Sequence, residues 1–255
     1  MAQDSVSRPV ALVTGASRTI GIGAAIVLAL AEAGWDVAVT YWRPYDESMP
    51  WGSTPGETAA ICRQAQVLGA RTLAMEADLA QTATAPRLFD EVTAGLGAVS
   101  ALVMAHAQSV DSDILTTSIE SFDLHFAVNA RASWLLVREF GRRFSGPYGS
   151  GRIIAITSDH TAGNLPYGAS KGALDRIVQA AAHEFRTLGI TANVINPGPT
   201  DTGWMAPDLY EEVRRATPLG RVGQPQDCAN LVRFLCSPEG GWINGQLLYS
   251  NGGVK

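Results

Sequence analysis

The amino-acid sequence predicts an α/β chain folded as a single doubly wound parallel β-sheet with helices on both faces. Three observations carry this expectation. Apolar runs of strand length alternate with longer helical stretches from one end of the sequence to the other. The runs are continuously apolar, as strands covered on both faces require. No internal repeat or low-complexity tract breaks the 255 residues, a length that one large core can hold, so residues 1–255 are expected to form one domain.

After a short polar leader, the first strand is expected over Pro9 to Thr14. It runs into Gly15-Ala16-Ser17-Arg18-Thr19-Ile20-Gly21-Ile22-Gly23, followed by an Ala- and Leu-rich helix reaching Gly34. Strand, glycine-rich turn and helix open a dinucleotide-binding unit, in which small residues let phosphates sit against backbone N–H groups at the helix N-terminus. The glycine spacing departs from the commonest dinucleotide fingerprint, so an ordinary glycine turn stays open as a reading.

A second strand, Asp36 to Tyr41, gives way to an irregular loop, Trp42 to Gly56, rich in Pro and Trp; loops of that length are usually functional or disordered. A helix then leads to Gly69, a strand spans Arg71 to Glu76, a turn Ala77-Asp78-Leu79, and a helix Pro86 to Leu96. Ser100 to Ala105 is the fourth strand, and Ser118 to Phe144 a long helix containing Asn129. The fifth strand, Ile153 to Thr157, delivers Ser158 at its carboxyl end, and a helix from about Pro166 runs to Leu188. Thr191 to Asn196 and Gln246 to Ser250 complete the sheet. In such sheets ligands bind beyond the carboxyl ends of the strands, where strand order reverses. Gly15, Asp78, Ala105, Ser158 and Pro197 are all expected on that edge.

Charge and composition exclude several classes. A net charge of -5 lacks the basic patch that nucleic acid requires. Cys62, Cys228 and Cys236 lack metal-ligand spacing and their count is odd, which reads as reduced, cytosolic thiols with no metal site. The longest apolar run, Ile20 to Ala31, is too short to span a bilayer, and no export-signal layout is visible, so a cytoplasmic protein without membrane contact is expected.

The chemistry-bearing stretch is Ser158 to Lys171. A helix starting near Pro166 stacks Tyr167 and Lys171 on one face. A fixed cation beside a phenol favours the phenolate and is expected to draw the tyrosine pKa toward neutrality, where it can exchange a proton with a carbonyl oxygen. Of 19 basic residues only two are lysines, the other being Lys255. A chain that otherwise uses arginine keeps its one internal lysine where a compact ammonium could reach a sugar hydroxyl and a phenol together.

Taken in order, Thr14-Gly15 with Gly21-Ile22-Gly23, Asp78-Leu79, Val128-Asn129, Ser158, Tyr167 with Lys171, and Asn196-Pro197-Gly198-Pro199-Thr200 make the chain resemble the short-chain dehydrogenase/reductase family, a Rossmann-fold family, over essentially its full length. Tyr41-Trp42, Pro50-Trp51-Gly52 and Asp201-Thr202-Gly203-Trp204 make it most similar to the branch described as 3-oxoacyl-carrier-protein reductases. The resemblance implies that Tyr167 is the general acid or base, that Lys171 lowers its pKa and binds the nicotinamide ribose, that Ser158 hydrogen-bonds the substrate oxygen, and that Asn129 holds a water connecting Lys171 to solvent. It implies cofactor contacts from Gly15, Ser17, Arg18, Ile20 and Gly21, from Asp78, Leu79 and Ala105, and from Pro197, Gly198, Thr200 and Thr202. A homotetramer or dimer is implied in the same way. For Asp78 a turn or capping role, and for Asn129 a structural amide, are the alternatives.

The family pattern is broken in three places. About two extra residues separate Gly15 from Gly21. Met104-Ala105-His106-Ala107 stands where the family has Asn-Asn-Ala-Gly, removing an amide that ties neighbouring strands and bringing an imidazole near the cofactor. The segment between Ser158 and Tyr167 is about four residues short, which reshapes the substrate wall around Asp159, His160 and Asn164. Thr157 rivals Ser158, but alternation along a strand lets only one of them face the cleft.

The second strand ends without an acid, and Arg18 and Arg43 lie nearby, so NADP(H) is favoured over NAD(H), with Asp46 and Glu47 able to reverse the preference. Asp201 to Arg215, carrying Trp204, Met205, Leu209 and Tyr210, reads as a lid over the substrate. The expected activity is reversible hydride transfer between nicotinamide and a small-molecule carbonyl or secondary alcohol, a 3-oxoacyl compound or another ketone. A catalytically impaired dinucleotide-binding sensor or assembly protein on the same fold is the alternative.

Overall fold

Seven parallel strands form one sheet in the order β3-β2-β1-β4-β5-β6-β7: β1 (Val10–Thr14), β2 (Asp36–Tyr41), β3 (Thr72–Glu76), β4 (Val99–Met104), β5 (Arg152–Ile156), β6 (Thr191–Asn196) and β7 (Leu247–Tyr249). This computed structural model describes residues 8–254; the polar leader before Arg8 and Lys255 lie outside the described residues. Every residue of β1, β5 and β6 is buried, and the buried polar residues among them, such as Asn193 and Arg152, are held by hydrogen bonds to backbone carbonyls. Strand order reverses between β1 and β4, whose last residues, Thr14 and Met104, are register partners.

Helices cover both faces. On one side α1 (Ile22–Glu32), α3 (Glu57–Val67) and α9 (Pro225–Cys236) pack Ile26, Ile61 and Val232 against Val13, Val37 and Val103. On the other, α4 (Thr84–Gly95), α6 (Ala132–Arg143) and α7 (Leu165–Glu184) pack Phe89, Leu136 and Leu174 against Leu12, Leu102 and Ile153. The three cysteines are free and buried in the first of these cores. Each face of the sheet thus has its own apolar layer, the architecture that the alternation of elements predicts.

Three local differences separate the structure from the sequence reading. The stretch after β2 is not wholly irregular: α2 (Arg43–Ser48) forms there, with Pro44 in its first turn, where a fixed φ suits a helix start. The long helix expected over Ser118 to Phe144 is broken into α5 (Ile119–His125), a π-helical turn (Phe126–Arg131) and α6, and Asn129 lies in the π turn. A further helix, α8 (Pro207–Ala216), occupies the expected lid, exposes Leu209 and has no buried residue.

The turn after β1 depends on close backbone packing. A Cβ on Gly23, in the first turn of α1, would collide with the carbonyl oxygen of Gly15. Gly23→Ala is therefore expected to destabilise the fold by about 1–3 kcal/mol, since overpacked sites displace their neighbours. Thermal unfolding checks this; an unchanged midpoint would show that the glycine turn has slack.

Candidate active site

Beyond the carboxyl ends of β1 and β4 lies a cavity of about 410 Å³. Gly15, Ser17, Arg18, Gly21, Asp78, Leu79 and Ala105, all expected cofactor contacts, line it. Gly15 has φ +77°, and a Cβ there would strike the backbone of His106, so only glycine lets the ends of β1 and β4 close on each other. Gly21 is the N-cap of α1, makes no side-chain cap bond, and no acid sits in the first turn. The amides of that turn are therefore available to an anion, and the residues present fit a dinucleotide pyrophosphate. Asp78 combines cleft and turn roles: its carboxylate accepts from the Ala80 N–H at 2.9 Å while the residue lines the cavity.

At the start of α7, Pro166 sits in the first turn, and Tyr167 and Lys171 follow on one face. The Lys171 ammonium, 2% exposed, donates to the carbonyl oxygens of Ile156 at 2.8 Å and His106 at 3.3 Å, at the end of β5 and just past β4. It lies 5.7 Å from the centre of the Tyr167 ring. Burial lowers the Lys171 pKa to about 8, opposed by the Asp175 carboxylate one turn on. The expectation for Tyr167 is corrected here. Burial raises its pKa to about 12, with the Ser158 side chain acting in the opposite direction, and the ammonium is directed to backbone carbonyls. Desolvation of the phenolate thus outweighs the expected pull of the cation.

Ser158 Oγ accepts from the His160 N–H at 3.1 Å, which engages a lone pair and leaves the hydroxyl proton able to donate. Thr157 is buried, its hydroxyl 3.5 Å from the Lys171 carbonyl oxygen, so of the two rivals Ser158 is the more exposed. Asn129 is fully buried. Its amide donates to the Gln108 carbonyl at 2.8 Å and to Ser170 Oγ at 2.9 Å, and its Oδ1 accepts from the Gln108 N–H at 2.7 Å. Those bonds make Asn129 a tie between the π turn, the segment after β4 and α7.

His106 performs the task that the missing amide left open. Its Nε2 lies 3.1 Å from the Val128 carbonyl oxygen, which can only accept, so Nε2 carries the proton and Nδ1 accepts from the Thr14 hydroxyl at 2.6 Å. One buried imidazole thereby joins the ends of β1 and β4 to the π turn. Burial, and then the charge of Lys171, depress its pKa to about 3, so the ring is neutral.

The other expected contacts are placed differently. Arg43 pairs with Glu76 at 2.8 Å and lines a second cavity, of about 220 Å³, together with Arg18, Ser53, Thr54 and Thr58. Ile20 is half exposed and does not line the main cavity. Thr200 is buried, its hydroxyl donating to the Gly198 carbonyl at 3.1 Å, so it is turned into the Pro197-Gly198 turn and not toward a ligand. The Thr202 carbonyl accepts from Arg18 at 2.9 Å.

In α2 the sequence singled out Arg43, Asp46 and Glu47 for the choice of cofactor, but not Tyr45. Tyr45 lines the main cavity and donates to the Ser109 carbonyl at 3.3 Å. Trp51 donates to the buried Asp46 at 3.1 Å and packs under the Arg18 guanidinium at 4.8 Å. The segment after β2 therefore walls the outer side of the cleft. Among the described residues no group of acids, histidines or cysteines could hold a metal ion, and no helix is long and apolar enough to cross a membrane.

Comparison with known proteins agrees with this fold. The family model described as Enoyl-(Acyl carrier protein) reductase matches residues 15–255. The uncharacterized oxidoreductase YjdA of Bacillus subtilis is 37% identical, over 96% of each chain. An NADPH-dependent aldehyde reductase-like protein of Arabidopsis thaliana is 33% identical, over 98% of this chain and 97% of its own. Among solved structures, a short chain dehydrogenase from Burkholderia cenocepacia in complex with NADP superposes with a TM-score of 0.85 at 32% identity, covering 97% of each chain.

The neutral imidazole gives stability a pH dependence. In the unfolded chain His106 takes up a proton below about pH 6.5, its ordinary value; the folded protein does so only near 3. Its contribution is complete above pH 6.5 and lost as pH falls toward 3. Between pH 7 and pH 5, wild type is expected to lose about 2 kcal/mol more unfolding free energy than His106→Asn. Denaturant titration measures both, and equal losses would contradict a buried neutral ring.

Proposed function

The chain belongs to the short-chain dehydrogenase/reductase family, and from that premise we propose that it is an NADP(H)-dependent reductase of small carbonyl compounds with Tyr167 as its proton donor. The observation that carries this reading is a phenol held protonated by burial, beside Ser158 and one helical turn from a buried lysine, at the edge where the dinucleotide cleft opens. When bound, the nicotinamide supplies a hydride. The α1 amides and the Gly15–Gly21 turn bind the pyrophosphate. Lys171 holds the ribose, Ser158 donates to the substrate oxygen, and Tyr167 delivers the proton that this oxygen needs as its carbon is reduced. At neutral pH the phenol is protonated and can donate its proton. Lys171 lowers that barrier by stabilising the phenolate that forms.

Support for NADP(H) comes from Arg18 and Arg43 in the lining of the second cavity, which also carries the carboxylates of Asp46 and Glu57. The NADP complex of the Burkholderia protein and the name of the Arabidopsis relative point the same way. That name also supports an aldehyde or ketone as substrate; 3-oxoacyl thioesters remain a class for the panel below. In this reading the protein is a cytoplasmic homo-oligomer. Its α5–α7 face supports that assembly, exposing Phe122, Leu124 and Trp134.

With NADPH and a panel of aldehydes, ketones and oxoacyl thioesters, cofactor oxidation is expected from wild type and a loss of at least about a thousandfold from Tyr167→Phe, with NADPH affinity nearly unchanged. Lys171→Arg is also expected to fail, because a planar guanidinium cannot replace the compact ammonium. Turnover like that of wild type in Tyr167→Phe would refute the assignment. Tight NADPH binding without oxidation by any compound would instead favour a dinucleotide sensor. NADH used as well as NADPH would remove the cofactor preference.

A further inference from the structure

The segment that enters and leaves α2 lies outside the two cores. No residue from 42 to 56 belongs to either apolar layer, and in α2 itself Asp46 is the one buried residue. What holds the segment is polar and aromatic. Arg43 pairs with Glu76 on the β3 side, Trp51 donates to Asp46 and lies under Arg18, and the Tyr45 and Trp51 rings meet edge to face at 6.3 Å. One further tie reaches the opposite side: the Tyr45 hydroxyl and the Ser109 carbonyl oxygen are 3.3 Å apart. Among the described residues this is the one hydrogen bond between residues 42–52 and the chain past β4.

Strand order gives that bond its meaning. β1 lies between β2 and β4, so a link from the chain after β2 to the chain after β4 passes over the carboxyl end of β1 and its glycine turn. Gly15 and Gly21 of that turn line the main cavity, and so do Pro44, Tyr45 and Ser48 of α2. The segment is therefore a strap across the cleft, rooted on β2 and fastened past β4 by one hydroxyl. A carbonyl oxygen only accepts, so the phenol donates. Burial raises the Tyr45 pKa to about 12, which keeps that donor protonated throughout the neutral range. A strap with so little apolar burial opens locally without disturbing the cores.

Resting on the dinucleotide part of the reading above, we propose that α2 gates the cofactor cleft: the bond from Tyr45 to the Ser109 carbonyl holds the strap shut, and NADP(H) enters and leaves when that bond breaks. The hydroxyl acts on access and takes no part in hydride or proton transfer. A fastening made equally with the cleft empty and filled slows entry and exit by the same factor and leaves affinity unchanged. A side chain that only touched bound cofactor would alter release and leave association alone. The two roles are thus separable by kinetics.

The test is stopped-flow binding of NADPH, followed by its fluorescence, with release started by excess NADP+. Tyr45→Phe keeps the ring and removes the hydroxyl. It is expected to raise the association and dissociation rate constants together, each by about three- to tenfold, the range one neutral hydrogen bond confers, with Kd within about twofold of wild type. Tyr45→Ala, which removes ring and hydroxyl, is expected to raise both at least as far; the position lies outside both apolar layers, so either variant is expected to fold. Unchanged rates in both variants, faster rates in Tyr45→Ala alone, or faster release with unchanged association would each overturn the gate while leaving cofactor binding intact. No binding of NADPH by wild type would overturn the cofactor reading, and this proposal with it.

Discussion

The Lys171 ammonium is buried between the carbonyl oxygens of Ile156 and His106, and the arrangement at the sheet edge follows from that one placement. A cation taken out of water needs compensation, and two backbone oxygens supply it without a carboxylate in contact. Meeting both oxygens requires the chain past β4 and the end of β5 to lie at a fixed separation, with α7 across them. Tyr167, on the preceding turn of the same helix, is positioned as a result. Burial lowers the lysine pKa and raises that of tyrosine, so desolvation acts on both groups against their charged forms.

Three polar ties keep the frame around that cation from drifting. His106 joins Thr14 to Val128, Asn129 joins Gln108 to Ser170, and Asn164 joins α7 to Ser109 and Asp111. Each bridges segments remote in sequence, and each is buried, so breaking one strands polar groups in a region where water cannot replace the lost partner. The π turn at Phe126–Arg131 belongs to the same scheme: it carries Asn129 and also the Val128 carbonyl that His106 reaches. Such turns interrupt helices most often where a site demands it. The apolar layers above and below the sheet hold the elements, and these ties set the details of the edge.

Much of this was legible before any coordinates. Short apolar stretches separated by helical ones are enough to locate seven strands, most clearly β1 and β4, where nearly every residue is apolar and buried. Gly15, Gly21 and Gly23 announce a phosphate turn, and at Gly15 and Gly23 close backbone approach admits no other residue. The π turn was not legible, since one extra residue per turn leaves no compositional trace in an otherwise helical segment. Nor was α2, which lies in a stretch whose Pro and Trp residues read as loop until the contacts of Trp51 with Asp46 and Arg18 are known. The direction of the Tyr167 shift was misjudged for a related reason. Spacing along a helix reports that a cation is near, whereas desolvation depends on everything packed around the phenol. His106 shows the converse: its letter marked a departure from the family pattern, and only its partners reveal that the strand tie is preserved by other means.

The most direct test of this account uses the scarcity of lysine. Only Lys171 and Lys255 are present, so selective isotopic labelling of lysine side chains gives a nuclear magnetic resonance spectrum of two signals. Followed against pH, one of them is expected to titrate near the value of about 8 imposed by burial, and to move when NADPH is added. If neither signal titrates below about pH 10, the ordinary lysine range, the ammonium is not buried and the central claim fails.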